Sequence, residues 1–371
     1  MVENNQNILL NNLHDLLQFY YEKGVFSASA IDFYTPLYAR SRSCLVTYGV
    51  VEEESSESIG RDYLFDLASL TKPLVTLLSV LILIEKKKIS WDEPLESLLE
   101  CRIPEPLQDI DLTSLLSHSS GLPAHRNYWK NYPYTVGKKK KNVLKKLILR
   151  EIAEYKKGEQ HIYSDLGYML LGFVVELKAK KGLDRYWYKH IADPLGLRDN
   201  LHFPVSYKKP ENGRYVATGS CPWSGRQLKG IVHDDNCRLY GEICGHAGLF
   251  GTASAVLVLC REFMLLLRGE KSRLNISSDV FAQACLQVGA SEWTAGFNRR
   301  SDQHSSSGDY FSSQSIGHLG FTGTSFWVDP EQEIIIVFLT NRVIKGEDQK
   351  GIKKLRPEIH NMIVEHLRTE R

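Results

Sequence analysis

The pattern of hydrophobic and polar positions changes along this 371-residue chain from short strands to helices and back to strands. Near the start, apolar residues recur at helical spacing and predict an amphipathic helix within residues 1–23: Leu9, Leu10, Leu13, Leu16, Leu17 and Tyr20. Two following runs predict strands, Ala28–Phe33 and Cys44–Val51. The run Leu74–Ile84 is apolar nearly all round, which predicts a buried central helix.

Helices and long loops fill the middle of the chain. A turn at Trp91–Pro94 restarts a helix within residues 89–99. Helical periodicity predicts further helices at Leu112–Leu116, Val143–Tyr155, Leu166–Lys180 and Asp184–Ile191. Residues 206–236 carry scattered Trp, Gly and Pro and are predicted to form a loop. Ala253–Leu267 is again helical, with apolar residues on most faces.

The pattern changes to period two after that helix. Four runs are predicted as consecutive strands: Trp293–Phe297, Ser315–Leu319, Ser325–Val328 and Glu333–Asn341. Lys354–Arg368 closes the chain as a helix. Strands at both ends with helices between them predict an α+β fold, in which an antiparallel sheet built from both chain ends is flanked by helices. We predict a sheet domain from residues 1–85 and 250–371, an inserted mostly helical domain from residues 86–249, and a site in the cleft between them.

Composition excludes several classes of partner. Hydrophobic residues make up 43% and charged residues 24%, which is ordinary for a soluble globular protein. The formal net charge of +2 gives no reason to expect a nucleic acid or a membrane as partner. Seven scattered cysteines, without CxxC pairs or metal-type spacing, indicate reduced, buried thiols. Residues 1–23 lack a signal-peptide pattern and Leu74–Ile84 is too short to span a bilayer, so we predict a cytoplasmic protein.

The first candidate for chemistry is the S-x-x-K sequence formed by Ser69 and Lys72 at the start of the central helix. Residues three apart on a helix share a face, with Cβ atoms about 5–6 Å apart. A hydroxyl and an amine that close can share a proton, as a serine nucleophile and a lysine base require. The alternative is that Ser69 is a simple N-cap and Lys72 a surface lysine. The motif alone does not decide between these interpretations.

Two later segments complete a pattern. Tyr163, Ser164 and Asp165 bring a phenol, a hydroxyl and a carboxylate together between a loop and a helix. Residues 317–324 join a predicted strand to a Gly-rich stretch, where a backbone can approach a ligand closely. The order S-x-x-K, Y-S-D and then H-x-G on a late strand is hard to obtain by chance, so it favours the catalytic interpretation of Ser69.

This pattern resembles the serine β-lactamase and penicillin-binding-protein superfamily, in particular its class C-like branch with esterases and D-amino-acid peptidases. S-x-x-K is a signature of related enzymes. Tyr163-Ser164-Asp165 is similar to the Y-x-N element of the branch, and His318-Leu319-Gly320 to the H-x-G element of its esterase-like members. Other similar stretches are residues 115–123, 233–236, 245–250 and 339–342. The resemblance covers about residues 20–368.

The resemblance implies a serine hydrolase that acts through an acyl-enzyme on a small-molecule ester, amide or peptide, without a cofactor or a metal. Ser69 would attack the carbonyl, Lys72 and Tyr163 would carry the proton, and the N–H groups of Ser69 and Phe321 would form the oxyanion hole. The implied substrate-binding residues are Asp165, His318 and Gly320. Because free lysine and tyrosine titrate near pH 10, we expect burial and mutual proximity to shift the pKa values of Lys72 and Tyr163 toward neutrality.

Two departures from the family pattern bear on the substrate. Asp165 stands where asparagine is usual, so a possible amide donor becomes an acceptor when ionised. His318 stands where true β-lactamases carry lysine, and as a neutral imidazole it is expected to donate a hydrogen bond. Both argue against an efficient β-lactamase. The candidate substrates are a carboxylic ester, a D-amino-acid peptide or amide, and a muropeptide fragment.

A catalytically silent protein that binds peptidoglycan fragments or a protein partner is the alternative from another class. The intact Ser69, Lys72 and Tyr163 disfavour it. His118 is expected to hold the loop before Gly121. Three polar residues suggest a metal but match no compact zinc spacing, so structural or pocket-lining roles are favoured: His233, Asp234 and His246. Three tryptophans either line a pocket or fill the core: Trp129, Trp223 and Trp293.

Overall fold

One antiparallel sheet, with strands from both ends of the chain, carries the fold. The computed structural model describes residues 2–38, 44–52, 54–131, 139–206, 214–289, 292–346 and 350–370. Its strands are β1 (Ala28–Tyr34), β2 (Val46–Gly49), β3 (Phe65–Asp66), β4 (Leu201–His202), β5 (Ala217–Ser220), β6 (Gln227–Lys229), β7 (Phe250–Gly251), β8 (Asn298–Arg299), β9 (Ile316–Leu319), β10 (Ser325–Asp329) and β11 (Ile334–Thr340). In the described part of the chain, the main sheet has the order β2-β1-β11-β10-β9-β8, and all its pairs are antiparallel.

Helices flank this sheet and fill the middle of the chain, which confirms the predicted α+β class. They are α1 (Val2–Glu22), α2 (Leu78–Glu85), α3 (Leu95–Leu99), α4 (Leu112–Leu116), α5 (Lys139–Ile148), α6 (Asp165–Ala179), α7 (Leu183–Trp187), α8 (Asp193–Leu195), α9 (Asp235–Leu239), α10 (Ala253–Leu267), α11 (Ser278–Cys285) and α12 (Lys350–Thr369). Side-chain N-caps define where several of them begin, because each cap oxygen accepts a free backbone N–H of the first turn: Ser164 for α6, Thr252 for α10 and Ser277 for α11.

Alternate side chains of β11 enter two hydrophobic cores. Ile336 and Phe338 pack with α1 and α12, whereas Val337 and Leu339 pack in the larger core with α2 and α10. Period-two alternation causes this division, because successive side chains of a strand point to opposite faces. The larger core continues into the helices of residues 86–249. The division of the chain into two domains stays a prediction.

The predicted central helix begins with an irregular turn. Ala68–Leu70 is a 3-10 turn, Lys72–Leu77 is a π-helix, and α2 continues from there. Residues 70–83 are buried without interruption. The 18 residues Ala68–Glu85 are apolar enough by composition to cross a membrane, but 83% of them are buried inside the protein. Single π-helical turns frequently lie at functional sites, and this one begins at a residue of the S-x-x-K motif.

Two predictions about irregular segments are wrong. Within residues 206–236, β5 and β6 pair as a hairpin and α9 begins at Asp235; residues 207–213 lie outside the described part. The strand Ala217–Ser220 was missed because it has no apolar alternation. Trp293–Phe297 is not a strand either. Gly296 has φ +116° and the Thr294 hydroxyl bonds to the backbone of Phe297, which makes a turn, and β8 follows it.

Two helices also differ from the prediction. Described helix α5 ends at Ile148 instead of Tyr155, because the following segment turns back and the N–H of Glu154 donates to the carbonyl of Gly121. Helix α11 was not predicted, although the Ser277 cap at its start is readable in the sequence.

The Asn341 side chain connects the last strand of the main sheet to the start of β1 through hydrogen bonds, and replacing this side chain tests how much they stabilise the fold. Its side-chain oxygen accepts the N–H groups of Ser27 (3.1 Å) and Ala28 (2.8 Å), and its amide donates to the carbonyl of Ala217 (2.8 Å). Asn341→Ala should lower the free energy of unfolding by at least about 3 kcal/mol, because it leaves these three buried groups unpaired and each costs about 1–3 kcal/mol. Urea unfolding measures this. The exposed Asn12→Ala on α1 is the control, and an equal loss in both variants contradicts the role.

Candidate active site

Ser69 lies in a tight turn between β3 and the π-helix. Ala68, the residue before it, has φ +47°, in the left-handed region that L-residues seldom adopt. The Asp66 carboxylate holds this turn by accepting the N–H of Ala68 (2.9 Å) and the N–H of His233 (2.8 Å). Burial raises the pKa of Asp66 to about 6, because these two donors only partly offset the loss of water.

The connection from β9 to β10 holds the same turn from the other side. The Thr322 hydroxyl donates to the carbonyl of Asp66 (2.8 Å), and the Thr324 hydroxyl donates to the carbonyl of Leu67 (3.2 Å). A Cβ on Gly320 would clash with Thr324 and would lie 2.8 Å from the Leu67 oxygen. Gly320 lines the cleft, as predicted, and its lack of a side chain allows β9 to approach the turn that carries the serine.

The ammonium of Lys72 lies at the centre of the site, and its side chain is 0% exposed. Its Nζ donates to Ser69 Oγ (3.0 Å), to Asp165 Oδ1 (2.7 Å) and to the carbonyl of His246 (3.4 Å). The ring of Tyr163 also faces this nitrogen, with 4.6 Å between Nζ and the ring centroid. The S-x-x-K spacing therefore puts hydroxyl and amine in direct contact. The alternative of a surface lysine is wrong.

The expected lowering of the Lys72 pKa is also wrong. Burial acts to lower this pKa, but the charge of Asp165 and its hydrogen bond to the ammonium, with Tyr163 beside them, outweigh burial and raise the pKa. Burial raises the pKa of Tyr163 as well, although the neighbouring ammonium opposes the rise. In the resting site Lys72 is therefore an ammonium and Tyr163 a neutral phenol. The aspartate is the cause, because the usual asparagine would not bring a negative charge to Lys72.

Asp165 joins Lys72 to His125, a residue that the sequence analysis missed. Its Oδ2 lies 3.1 Å from Nδ1 of His125, whose side chain is 42% exposed and lines the cleft. Burial would raise the pKa of Asp165, but Lys72 and His125 hold it far below its usual range. The hydrogen bond to Asp165 in turn raises the pKa of His125. In the sequence, His125 lies in the short loop after Gly121 and belongs to no motif. A histidine in a loop does not by itself predict which residue it contacts.

His118 positions the segment that carries Tyr163. Its Nδ1 accepts the N–H of Ser164 (3.0 Å), and its ring centroid lies 4.5 Å from that of Tyr163. Burial and the charge of Lys72 lower the pKa of His118 well below its usual value, so the ring is neutral. The Tyr163 hydroxyl is buried and makes no hydrogen bond of normal geometry among the described residues. It is close enough to Lys72 and Ser69 for both to lower its pKa against the larger effect of burial.

His318 lines the cleft as an acceptor rather than as the expected donor. Its Nδ1 lies 2.9 Å from the carbonyl oxygen of Leu319, and a carbonyl only accepts, so Nδ1 carries the hydrogen. Burial and the charge of Lys72 lower the pKa of His318 to about 3, so the ring is neutral. Its Nε2 therefore holds a lone pair, and in the described structure this buried atom has no partner. An N–H or O–H group of a substrate could donate a hydrogen bond to this lone pair.

Phe321 follows β9 at the edge of the same cleft. Its ring is 42% exposed, and the guanidinium of Arg342 lies 4.8 Å from its centroid. Within the described residues, no backbone acceptor takes up the N–H of Phe321. Ser69 and Phe321 both line the cavity. The pairing of their N–H groups as an oxyanion hole stays a prediction.

The three residues that suggested a metal site have other partners. His246 Nε2 lies 3.0 Å from Asp234 Oδ1, and Asp234 also caps α9 through the N–H of Cys237. His233 packs against Phe321, with 5.7 Å between ring centroids. Among the described residues, no group of three or more His, Cys, Asp or Glu side chains is arranged to hold a metal ion.

These groups meet in a cavity of about 960 Å³. Four side chains of the three motifs line it: Ser69, Tyr163, Asp165 and His318. Lys72 lies directly behind Ser69, whereas Ser164 caps α6 and does not line the cavity. Trp129 and Trp293 line the cavity, whereas Trp223 packs behind Trp129 at 5.2 Å between ring centroids. The lining also contains three carboxylates and three cations: Asp165, Asp234 and Asp235, with Arg342 after β11 and Lys353 and Arg356 on α12.

Comparison with known proteins identifies the family. The model of the family described as Beta-lactamase matches residues 34–359. The chain belongs to this family. It is 29% identical over 306 residues to a putative D-alanyl-D-alanine carboxypeptidase of Escherichia coli O157:H7, with 75% of this chain and 69% of the relative covered. It is also 29% identical over 322 residues to the N-acetylmuramyl-L-alanine amidase of Bacillus subtilis strain 168, with 78% and 71% covered.

A solved structure extends the comparison to the fold. The D-amino acid amidase from Ochrobactrum anthropi SV3 superposes with a TM-score of 0.71 at 17% identity, covering 98% of this chain and 99% of that one. The likeness confirms the β-lactamase-like fold of this family member. Together with the named relatives, it identifies the protein as a serine hydrolase. Membership of the class C-like branch stays a prediction.

Replacing Asp165 tests whether its charge holds Lys72 as an ammonium. Asp165→Asn should lower the free energy of unfolding at pH 7 by about 3–5 kcal/mol, because it leaves the ammonium buried without a counter-charge. It should also lower the pKa of Lys72, followed by NMR of labelled lysine. Because folding lowers the pKa of Asp165, its contribution is present above the usual value of about 4 and is lost as the pH falls further.

The difference between wild type and Asp165→Asn should accordingly shrink below about pH 4, where the Asp165 carboxyl of the unfolded wild-type chain begins to take up a proton. Asp62→Asn is the control, since Asp62 pairs with Arg214 at the surface with both side chains more than half exposed. That change should cost about 0–1 kcal/mol at every pH. An unchanged Lys72 pKa in Asp165→Asn contradicts the assignment.

Proposed function

We propose that the protein hydrolyses an amide or ester bond through an acyl-enzyme on Ser69, and that its natural substrate is an amide of peptidoglycan or D-amino-acid type. The contact that carries this proposal is the 3.0 Å hydrogen bond between Ser69 Oγ and Lys72 Nζ at the wall of the cleft. A serine activated by an adjacent amine is the arrangement that nucleophilic catalysis requires. The names of the relatives, a carboxypeptidase and an amidase, support amides over esters.

The proton route passes through Lys72 and Tyr163. Ser69 Oγ attacks the carbonyl carbon while its proton goes to the neutral form of Lys72. The Tyr163 hydroxyl, close to both residues, then gives its proton to the leaving amine or alcohol and takes the proton of Lys72 in its place. Water attacks the acyl-enzyme by the reverse of these steps. Because the resting lysine is charged, the reactive state is a minor one, and its population limits the rate.

Charge on the carbonyl oxygen is stabilised in the proposed oxyanion hole. The N–H groups of Ser69 and Phe321 would donate to that oxygen, each worth about 3–4 kcal/mol in the transition state by analogy with measured cases. The turn at Ala68 and the packing of Gly320 on Leu67 fix the separation of the two groups. His318 Nε2 would accept an N–H or O–H of the substrate, which suits the amide groups of a peptide.

Covalent labelling tests the nucleophile. A fluorophosphonate should add once to the protein, on Ser69, because the lysine contact activates this hydroxyl. Intact-mass and peptide mass spectrometry locate the adduct. Ser69→Ala should give none, whereas Ser306→Ala, which removes another hydroxyl of the same cleft, should keep it.

A substrate panel then distinguishes the bonds. Muramyl-L-alanine peptides, D-alanyl-D-alanine peptides, D-amino-acid amides and p-nitrophenyl esters should be compared, with Ser69→Ala as the blank. Release from at least one amide is expected. A folded wild type that is neither labelled nor active on any member of the panel would favour the silent binding protein instead.

The shared role of Lys72 and Tyr163 is tested by a double-mutant cycle. Lys72→Ala and Tyr163→Phe should each lower kcat by roughly 10²–10⁴-fold, the range of general acid–base catalysis. The double variant should be little slower than the slower single variant, because residues that act as a unit are not additive. Steady-state kinetics on the best substrate measure this, with thermal melting as the check on folding. Multiplicative losses would show two separate roles.

A further inference from the structure

Asp165 is shared between two basic groups of unequal access to solvent. Its Oδ1 lies 2.7 Å from Lys72 Nζ, whose side chain is fully buried, and its Oδ2 lies 3.1 Å from His125 Nδ1, whose side chain is 42% exposed. The carboxylate therefore links the lysine that contacts the nucleophile to a histidine that is accessible to solvent. The proposed reaction makes no use of His125.

Resting on the proposed function, we propose that His125 is a positioning residue that competes with Lys72 for the Asp165 carboxylate, so that a charged His125 releases Lys72 to take the proton of Ser69. A neutral His125 leaves the full negative charge of Asp165 to Lys72 and keeps the amine protonated. A charged His125 takes part of that charge, and two cations on one carboxylate also repel each other. The lysine then loses its proton more readily.

Other titratable groups face this pair and have to be accounted for. Asp234 raises the pKa of His125 and His246 lowers it, and these two residues form a hydrogen-bonded pair of their own. On the other side of Asp165, Lys72 faces Tyr163, His118 and His318. Both of those histidines stay neutral near pH 7, because burial and Lys72 lower their pKa values. Asp235 lies near His125 and is paired with Arg238.

The competition predicts the shape of a pH profile. If the rate follows the neutral fraction of Lys72, its logarithm rises by one per pH unit for an isolated lysine. With the competition, the rate at low pH lies above that line, flattens while His125 loses its proton, and rejoins the line at higher pH. Because hydrogen bonding raises the pKa of His125 from 6.5, the flat region should begin above pH 6.5.

Fluorophosphonate labelling is the suitable readout. Serine oxygen replaces fluoride on phosphorus, the P–F bond breaks, and the serine proton goes to neutral Lys72. Fluoride leaves without a proton, so the second-order labelling rate reports the deprotonation of Ser69 alone. The rate should be measured from pH 5.5 to 9.5 for wild type and for His125→Gln, whose amide can still donate to Asp165 without a charge.

We expect an inflection in the wild type and a straight line of unit slope in His125→Gln. The variant should be roughly tenfold slower at pH 5.5, which corresponds to one pKa unit on Lys72, and equal to wild type at pH 9.5. Asp165→Asn should also lose the inflection. His233→Gln is the matched control, because it removes another cleft histidine that contacts Phe321 instead of Asp165, and it should keep the inflection.

Three outcomes overturn the proposal: no inflection in the wild type, an inflection that persists in His125→Gln, or one that disappears only in His246→Gln and so belongs to the pair with Asp234. NMR titration of labelled Lys72 in wild type and His125→Gln gives the same comparison without activity. Absence of any adduct on the wild type would contradict the proposed function instead, while the NMR comparison would still decide the role of His125.

Discussion

A buried ammonium controls this active site. Lys72 has no exposed surface, so its charge persists only because Asp165 lies 2.7 Å away and Tyr163 faces it. Desolvation of a charge without a partner costs several kcal/mol, which makes the carboxylate a structural necessity as well as a chemical one. The same ammonium helps to keep His118 and His318 neutral. The protonation states of Lys72, His118 and His318 therefore all depend on the ion pair between Lys72 and Asp165.

The position of that ion pair depends on the contacts that hold the turn before the π-helix. The turn before the π-helix carries Ser69, and it is held from one side by Asp66 and from the other by Thr322 and Thr324. Each of these contacts joins residues more than 250 positions apart or fixes a strained φ. The geometry of the nucleophile thus depends on the correct pairing of β9 and β10, at the far end of the chain.

Much of the fold could be predicted from the sequence, since most of its helices and strands have a regular pattern of apolar residues. Ala253–Leu267 and Leu112–Leu116 form helices with the predicted bounds, because apolar periodicity and N-cap residues agree there. The predictions were wrong in segments whose secondary structure is determined by hydrogen bonds and turn geometry, and not by a pattern of apolar residues. Ala217–Ser220 pairs as a strand without hydrophobic alternation, and Trp293–Phe297 turns at Gly296 despite its aromatic residues.

In the site, the sequence motifs predicted which residues come together, but not how the charges of these residues affect one another. The motifs brought Ser69, Lys72 and Tyr163 together correctly, because a fixed spacing on a helix and a fixed motif order carry that information. The direction of the Lys72 pKa shift was wrong, since burial and ion pairing act in opposite directions and only the distance to Asp165 decides between them. His125 carries no motif at all. Its importance arises from the second oxygen of a carboxylate 40 residues away, and no pattern along the chain encodes that contact.

The aspartate explains why such a site needs a solvent-exposed partner. An asparagine would accept one hydrogen bond from Lys72 and leave the charge of the amine free to vary with its surroundings. The carboxylate instead stabilises the ammonium and disfavours the neutral amine that nucleophilic attack requires. A second donor on its other oxygen weakens that hold without breaking the ion pair, and His125 occupies this place. The substitution that makes the lysine stable in the core thus also makes its reactivity depend on what else binds the carboxylate.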